Sequence, residues 1–409
     1  MLAAITCALA PAYVVRWHYG FYPTTLLEHA IVATVVVFAV ETWRAHGRLV
    51  WRTPWTVPAL LFILAGAISV VIAPNKFAAL GLFRAYLIEP IALAVVLVHA
   101  VTTWRRAVLI LSGFGIAGAV VGVANAFVVI NALLAHTYDV IQTPPVVIYT
   151  TANALALFLG PLIAVAASLF LHGTDRTVRL GSAAFLVVAV PSMLLSFSRG
   201  GYLAMAAVAV GLALSHRRRL WLLAGTAAVG VLVALIPPIF KRLSVEFHVV
   251  NGTTFFGRAG RLDLWSATLQ MLREHPIFGA GLSGFADRIA PFWNATHPER
   301  FIDPHNIVLN FWVETGLVGV IAFGWLFVVT ARRAWDGWKK SEADWRPIFL
   351  GLLLAMLAIL VHGLVDVPYF KNDLSLELWV LVGLVAAGGR WLQPRAPSST
   401  QKRVELATP

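Results

Sequence analysis

Residues 107–131, with the sequence AVLILSGFGIAGAVVGVANAFVVIN, form an apolar run that contains no charged side chain. A helix needs about 20 mostly apolar residues to cross the hydrocarbon core of a bilayer. This run is long enough to do so, and it is therefore predicted to be a transmembrane helix.

The composition of the whole chain agrees with this prediction. Of its 409 residues, 59% are hydrophobic and 12% are charged. An average soluble protein is about 45–50% apolar and about 25% charged. Too few charged side chains are present to cover a water-exposed globule of this size. The composition therefore excludes a soluble enzyme and a disordered chain.

Similar apolar runs recur along the sequence and predict an all-α polytopic membrane protein with about twelve transmembrane helices. The predicted spans lie at 2–18, 25–43, 55–73, 83–101, 107–131, 146–171, 179–196, 201–215, 219–240, 306–330, 347–365 and 373–391. A cleaved signal peptide is the alternative for the first run, but no basic segment precedes its apolar part, which favours a retained span. The single cysteine, Cys7, excludes an internal disulfide.

The positive charges predict the orientation of these spans. The chain has 31 Lys and Arg against 19 Asp and Glu, a formal net charge of +12. Nineteen of the 31 fall in alternate short segments, five in the short segments between them, and seven in one long loop. Because short loops rich in Lys and Arg stay in the cytoplasm, both termini are predicted to be cytoplasmic. Nucleic acid is not needed to explain the positive balance.

The long loop, residues 241–305, lies between the ninth and tenth spans and is predicted to be an ordered periplasmic segment. Apolar residues recur in it at helical spacing: Leu262, Trp265, Leu269 and Leu272. They predict an amphipathic helix over 261–274, which Pro276 ends. The chain then divides into helices one to nine (1–240), the loop (241–305), helices ten to twelve (306–391) and a cytoplasmic tail (392–409).

Arg199 stands in the motif SFSRGG at 196–201, at the predicted outer end of a span, where few other positive charges lie. The two glycines permit the backbone to approach a ligand closely. Two interpretations stay open at this point. The arginine extends to the lipid headgroups, or it binds an anion at the outer surface.

A second basic motif, GRAGRLDLW at 257–265, places Arg258 and Arg261 before the predicted amphipathic helix. Helix N-termini attract anions, and a guanidinium binds phosphate oxygens bidentately, so both residues are candidates for anion binding. The alternative is a solvated loop with ordinary surface charges. The glycine-rich stretch at 275–285 has no Gly-Lys-Ser ending and no preceding strand, which argues against a nucleotide site.

His305 belongs to the motif DPHN at 303–306, directly before the tenth span. Asp303 is predicted to be the helix N-cap and Pro304 the first helical residue. His305 would then lie in the first turn, where the helix dipole disfavours imidazolium and leaves a neutral ring able to accept a proton. The alternative role for His305 is simply to help cap the helix.

Polar side chains within the predicted spans are costly in lipid and usually face a protein interior or a cavity. They are Glu28, Arg84, Glu89, Asn125, Asn153, Glu314, His362 and Asp366. Arg84 with Glu89, and His362 with Asp366, are spaced to pair in either a structural or a catalytic role. The sequence has neither a His-x-x-x-His pair nor a cysteine cluster, so no metal site is predicted.

Taken together, these motifs resemble the O-antigen ligase family, which includes lipopolysaccharide core ligases, O-antigen polymerases and protein O-oligosaccharyltransferases. The resemblance rests on SFSRGG at 196–201, on GRLDLW at 260–265 with the following glycine-rich stretch, on HN at 305–306 leading into ETGLVG at 314–319, and on the layout of spans around one large outer loop. By motif it covers about residues 150–390.

The resemblance implies a reaction at the periplasmic face of the bacterial inner membrane. Family members transfer a glycan from a polyprenyl (undecaprenyl) diphosphate carrier to a hydroxyl of lipid A core, a growing polysaccharide or a protein, without metal or nucleotide cofactor. By residue match, Arg199 and Arg261 would bind the diphosphate and His305 would act at the acceptor hydroxyl. Further candidates for substrate binding are Arg258, Arg288, Asn306 and Trp265.

The chemistry of the residues agrees with that implication. A lipid diphosphate leaves as an anion, which two arginines can neutralise, and the attacking hydroxyl needs a base such as His305. A direct displacement of this kind inverts the anomeric carbon. Ligation to lipid A core is the favoured reaction, with a polymerase or a protein O-oligosaccharyltransferase as alternatives. A secondary transporter is the rival from another class, but the chain shows no matching halves and its large loop is asymmetrically placed.

Overall fold

The computed structural model describes residues 1–138, 146–149, 151–244, 260–293 and 301–389, and these are predominantly helical. The α-helices are α1 (Leu2–Ala8), α2 (Leu26–Arg44), α3 (Thr56–Ile72), α4 (Lys76–Phe83), α5 (Glu89–Ala100), α6 (Trp104–Leu134), α7 (Ala152–His172), α8 (Arg176–Leu194), α9 (Arg199–Ser215), α10 (Arg219–Ala234), α11 (Pro237–Ser244), α12 (Arg261–Glu274), α13 (Phe285–Trp293), α14 (Ile307–Lys340), α15 (Arg346–Gly363) and α16 (Asn372–Gly389). A π-helical turn, Arg84–Ile88, joins α4 to α5.

Eight helical segments within the described ranges are long and apolar enough to cross a membrane. They are α2, the continuous segment α4–α5, α6, α7, α8, α14, α15 and α16. Helices α10 and α11 together would give a ninth, although they are bent by 88° at their junction. Helices α3 and α9 are apolar but have only 17 residues each. The chain is thus an all-helical, multi-pass membrane protein.

The prediction of a continuous first span at 2–18 is wrong. Helix α1 has 7 residues, so it is about 10 Å long, well short of a hydrocarbon core of about 30 Å. A short 3-10 helix (Ala10–Val14) follows, and it contains Pro11, which has no N–H to continue an α-helix. The chain then forms a two-stranded antiparallel hairpin, β1 (Arg16–Tyr19) paired with β2 (Tyr22–Thr25).

Helices α7 and α16 lie inside the bundle, whereas α2 and α8 lie at its outside. Of the most apolar stretch of each helix, 83% is buried in α7 and 89% in α16, against 22% in both α2 and α8. Helix α15 packs closely on α7 because Gly351 has no side chain: a Cβ there would lie 2.9 Å from the Cα of Val165. This contact holds the N-terminal part of α15 against the C-terminal half of α7.

Helix α14 is broken at Gly316, where the predicted span 306–330 was expected to be continuous. Gly316 has a φ of +67°, and the N–H of the next residue, Leu317, donates to the carbonyl of Ile277 at 2.9 Å. Only glycine adopts this conformation readily, and a Cβ would lie 2.5 Å from that carbonyl oxygen. Part of the glycine-rich stretch is therefore joined to the break in α14 by backbone hydrogen bonds.

The amphipathic helix predicted over 261–274 is present as α12, but the predicted apolar face was partly wrong. Leu262 and Leu269 are 51% and 44% exposed. The buried face instead carries Leu264, Met271 and Leu272, which belong to one apolar cluster with α13 and Val313 of α14. Helix α13 was not predicted from the sequence. Its side chains supply the surface that decides which face of α12 is buried.

Candidate active site

A small cavity lies where the first turns of α7, α9 and α12 meet the C-terminal end of α15. It has a volume of about 130 Å³ and is lined by Asn153, Arg199, Gly200, Arg242, Arg261, His362, Val365 and Asp366. Three arginines thus line one cavity, and three helix N-termini face it. Both features favour a bound anion, because helix N-termini carry partial positive charge and guanidinium groups bind oxyanions bidentately.

Arg199 is the first residue of α9, and the hydrogen bonds of Ser198 hold this end of the helix. The Ser198 hydroxyl accepts from the N–H of Gly201 at 3.2 Å and donates to Oδ1 of Asn153 at 2.8 Å. Gly200 lies against His362, since a Cβ there would be 2.6 Å from Cδ2 of the imidazole. The glycines of the SFSRGG motif therefore make room for neighbouring helices as well as for a ligand.

Arg242 is the cavity residue that sequence reasoning missed. It lies on α11, and its Nε donates to the carbonyl of Phe197 at 3.4 Å. Consecutive prolines, Pro237 and Pro238, stand at the bend between α10 and α11, and proline cannot continue the hydrogen-bond ladder of a helix. The resulting 88° turn brings Arg242 back to the cavity. The proline pair was the one sequence signal of that turn.

Arg261 was predicted to precede the amphipathic helix; it is the first residue of α12 and is largely buried. Burial lowers the pKa of its guanidinium, and the carboxylates of Asp366 and Asp303 act in the opposite direction. Trp265, one turn further along, donates from Nε1 to the carbonyl of Pro304 at 3.0 Å. That bond ties α12 to the segment carrying His305, so Trp265 has a structural contact where a substrate contact was predicted.

His305 lies just before α14, and the predicted cap of this helix was wrong. Asn306 is the N-cap, because its side chain accepts from the N–H groups of Val308 and Leu309 at 3.0 and 3.1 Å. His305 therefore precedes the helix, with a φ of +49°, and does not lie in its first turn. The helix-dipole argument for a neutral ring does not apply in the form given from the sequence.

The imidazole of His305 lies between two carboxylates. Its Nδ1 is 3.1 Å from Oδ1 of Asp303 and 3.4 Å from Oδ1 of Asp366. Burial raises the pKa of the Asp366 carboxyl, but the hydrogen bond and charge of His305, together with the charge of Arg261, outweigh burial and hold that pKa well below its usual range. An ionised acceptor at Nδ1 places the ring proton there and leaves Nε2 as the proton acceptor.

Two other predicted binding residues, Asn306 and Arg288, do not line the cavity. Asn306, besides capping α14, donates from Nδ2 to the carbonyl of Leu364 at 3.0 Å. Arg288 is on α13, with its guanidinium 2.9 Å from Nε2 of His275 and 3.2 Å from the carbonyl of Ile72, and it is not among the residues that line the cavity. Arg258 lies outside the described residues.

The spacing of polar residues within spans was informative for one pair and misleading for the other. Arg84 pairs with Glu89 at 3.0 Å and also with Glu28 at 2.9 Å. Asp366 instead contacts Nδ1 of His305 at 3.4 Å and accepts from the N–H of Val367 at 2.8 Å, although His362 is four residues before it. Within the described ranges, no three His, Cys, Asp or Glu side chains are grouped as metal ligands.

The fold and this site define a class of protein: a multi-pass membrane protein with a cationic cavity at one end of its helix bundle, beside a histidine–carboxylate pair. Residues 184–324 match the family model described as O-antigen ligase. This match confirms, over that segment, the resemblance to the O-antigen ligase family that the motifs indicated, and the long apolar helices agree with a multi-pass membrane protein. The segment includes Arg199, Arg242, Arg261 and His305 and ends before His362 and Asp366.

Two relatives match parts of the chain. An O-antigen ligase of Pseudomonas aeruginosa is 25% identical over 164 residues, which are 37% of this chain and 35% of the relative. A Haemophilus influenzae protein described as uncharacterized is 27% identical over 157 residues, 34% of this chain and 39% of the relative. The matched parts are thus well under half the length of either relative.

Proposed function

We propose that this protein is a membrane glycosyltransferase of lipopolysaccharide biosynthesis. It takes a glycan from a polyprenyl diphosphate carrier and transfers it to an acceptor hydroxyl, most directly on lipid A core. One observation carries the proposal: Arg199, Arg242 and Arg261 line a single cavity next to the His305–Asp366 pair. The family match and the name of the Pseudomonas aeruginosa relative support the substrate class.

The cavity suits the diphosphate of the carrier. A water molecule in the liquid occupies about 30 Å³, so a cavity of about 130 Å³ corresponds to only a few waters. A diphosphate group is of this order of size, whereas a polyprenyl chain and a glycan must lie outside. Three arginines against the one carboxylate of Asp366 give the lining an excess of positive charge, as an anionic leaving group requires.

His305 acts as the general base in this proposal. The acceptor oxygen attacks the anomeric carbon while its proton passes to Nε2 of His305. The bond between the anomeric carbon and the phosphate oxygen breaks, and its electron pair leaves with the diphosphate, whose charge Arg199, Arg242 and Arg261 stabilise. Asp366 stays ionised and stabilises the imidazolium that forms. The reaction is one displacement and inverts the anomeric carbon.

The site faces the periplasm in this proposal, and the C-terminus is cytoplasmic. The distribution of Lys and Arg among the short loops supports that orientation. The carrier's polyprenyl chain then lies in the outer leaflet of the inner membrane, with its diphosphate at the ends of α9 and α15. The segment carrying α12 and α13 lies on the same side and is available to the acceptor glycan.

The proposal is tested with the full chain in lipid nanodiscs, a polyprenyl-diphosphate-linked glycan and lipid A core as acceptor. We expect one glycan unit to be transferred per acceptor, and His305→Ala to abolish transfer while carrier binding persists. His172→Ala is the matched control, because His172 ends α7 at the opposite end of the bundle from the cavity. Full transfer by the His305 variant would remove that residue from the mechanism, and a ladder of products would show a polymerase instead.

A further inference from the structure

His362 is a buried polar residue of the cavity that the proposed reaction leaves without a role. It lies on α15, is 2% exposed, and lines the same cavity as the three arginines. Its Nε2 is buried and has no hydrogen-bond partner in the described part of the chain. Buried polar groups in proteins almost always have a partner, so an unpartnered one beside a cavity points to a ligand.

The position of the ring is fixed by α9. A Cβ on Gly200 would lie 2.6 Å from Cδ2 and 2.8 Å from Nε2 of His362. The edge of the imidazole that carries Nε2 therefore rests on the first turn of α9, beside Arg199. A larger residue than glycine would push the ring away from this position, so Gly200 and His362 are geometrically coupled.

The surroundings of His362 define the chemistry of a ligand. Asp366 faces it from the same helix end, Asn153 from α7, Arg199 from α9, Arg242 from α11 and Arg261 from α12. Among the described residues that line the cavity, three carry a guanidinium group and one a carboxylate, which favours an anionic ligand. The matching interaction for a neutral imidazole is donation of its Nε2–H to an oxyanion oxygen.

We propose that His362 binds the carrier by donating a hydrogen bond from Nε2 to a phosphate oxygen of the lipid diphosphate. The inference rests on the proposed function, since it takes the diphosphate to be the anion. The arginines supply charge, whereas His362 supplies a directional donor on a side of the cavity that α15 forms. His362 is thereby a binding residue, distinct in role from His305.

The test compares two substitutions in the full-length protein. His362→Gln keeps an N–H donor near the position of Nε2, whereas His362→Met fills a similar volume without a donor. Binding of undecaprenyl diphosphate and of inorganic diphosphate is measured by titration in nanodiscs, with the melting temperature of each unliganded variant. We expect Met to weaken both affinities about tenfold, Gln to stay within about threefold of the parent, and neither to lower the melting temperature.

The outcomes separate this inference from the function on which it rests. The role of His362 would be overturned if His362→Met bound both probes with the affinity of the parent. It would also be overturned if His362→Gln and His362→Met lost the same amount of affinity. If the protein binds inorganic diphosphate but not undecaprenyl diphosphate, the proposed carrier is refuted. The affinities of His362→Gln and His362→Met for inorganic diphosphate would still decide the role of His362. In turnover, the Met variant should raise KM for the donor and leave kcat and its pH profile unchanged, which a purely structural role would not produce.

Discussion

Replacing Asp366 with asparagine tests the histidine–carboxylate pair at the centre of the proposed site. The substitution keeps the size of the side chain and removes its charge. A hydrogen bond to a charged partner contributes about 1.5–3 kcal/mol, which corresponds to about 10- to 150-fold in rate. In the parent, Oδ1 of Asp366 is 3.4 Å from Nδ1 of His305, and in the proposed reaction the ionised carboxylate would stabilise the imidazolium formed during transfer.

The structure limits how much activity Asp366→Asn is expected to lose. Oδ1 of Asp303 lies 3.1 Å from the same Nδ1, so one carboxylate acceptor remains after Asp366→Asn. The loss is therefore expected to be smaller than the roughly 10⁴-fold seen where a triad loses its single carboxylate. We expect the double substitution of Asp303 and Asp366 by Asn to approach the full contribution of a general base, about 10²–10⁴-fold.

The assay is kcat/KM for glycan transfer in nanodiscs at neutral pH, with the melting temperature measured in parallel. Asp336→Asn is the matched control, because Asp336 pairs with Lys340 four residues later on α14 and does not line the cavity. The proposed role of Asp366 is refuted if Asp366→Asn keeps kcat/KM within about twofold of the parent. It is equally refuted if the control variant loses as much activity at the same folded fraction.

Three further outcomes follow from the same site. Replacing Arg199 and Arg261 together with Lys should lower kcat/KM at least about 100-fold, because the ammonium group loses bidentate binding of phosphate, and unchanged turnover would contradict the proposed anion site. Gly200→Ala should lower both donor affinity and melting temperature, because the new Cβ would lie 2.6 Å from the ring of His362. Adding His362→Ala should restore the melting temperature but not the affinity. A melting temperature that stays low in the double variant would disprove the geometric coupling of Gly200 and His362. The pKa of Asp366 is lower in the folded protein than its usual value of 3.8, so the ionised carboxylate contributes its full stability above pH 3.8, and this contribution is lost as the pH falls below it. The difference in unfolding free energy between the parent and Asp366→Asn should therefore be constant from neutral pH to about 5 and shrink in stronger acid. A constant difference down to pH 3 would exclude a lowered pKa for Asp366.

Local signals in the sequence were sufficient for the elements that depend on near neighbours. The helix at 261–274 was predicted with its observed bounds. Arg199 was selected as a positive charge at the outer end of a predicted span, and Arg261 as a positive charge beside the start of the predicted amphipathic helix. Both arginines line the same cavity, although more than sixty residues separate them. Hydropathy likewise located the long apolar helices, because their length and composition are properties of single segments.

Features set by contacts between distant segments were missed or wrong. Arg242 joins the cavity only because α11 turns back after Pro237, and no local pattern reports the direction of that turn. The cap of α14 was assigned to Asp303, an equally good capping residue by type, whereas the contact of Asn306 with Leu364 selects the later start. Leu262 was expected to be buried and is exposed, since α13 packs against the other side of α12.

The break in α14 has a consequence for how this molecule could change its acceptor. The segment after α12 is attached to α14 through the main chain: the N–H groups of Ala280 and Gly281 donate to the carbonyl of Val313, and Leu317 donates to Ile277. These bonds need no particular side chain at Ala280 or Ile277, apart from the room that the glycines provide. The exposed side chains of the segment can therefore be substituted one at a time, while the residues that line the cavity keep their positions. A new acceptor specificity would then require no redesign of the catalytic centre.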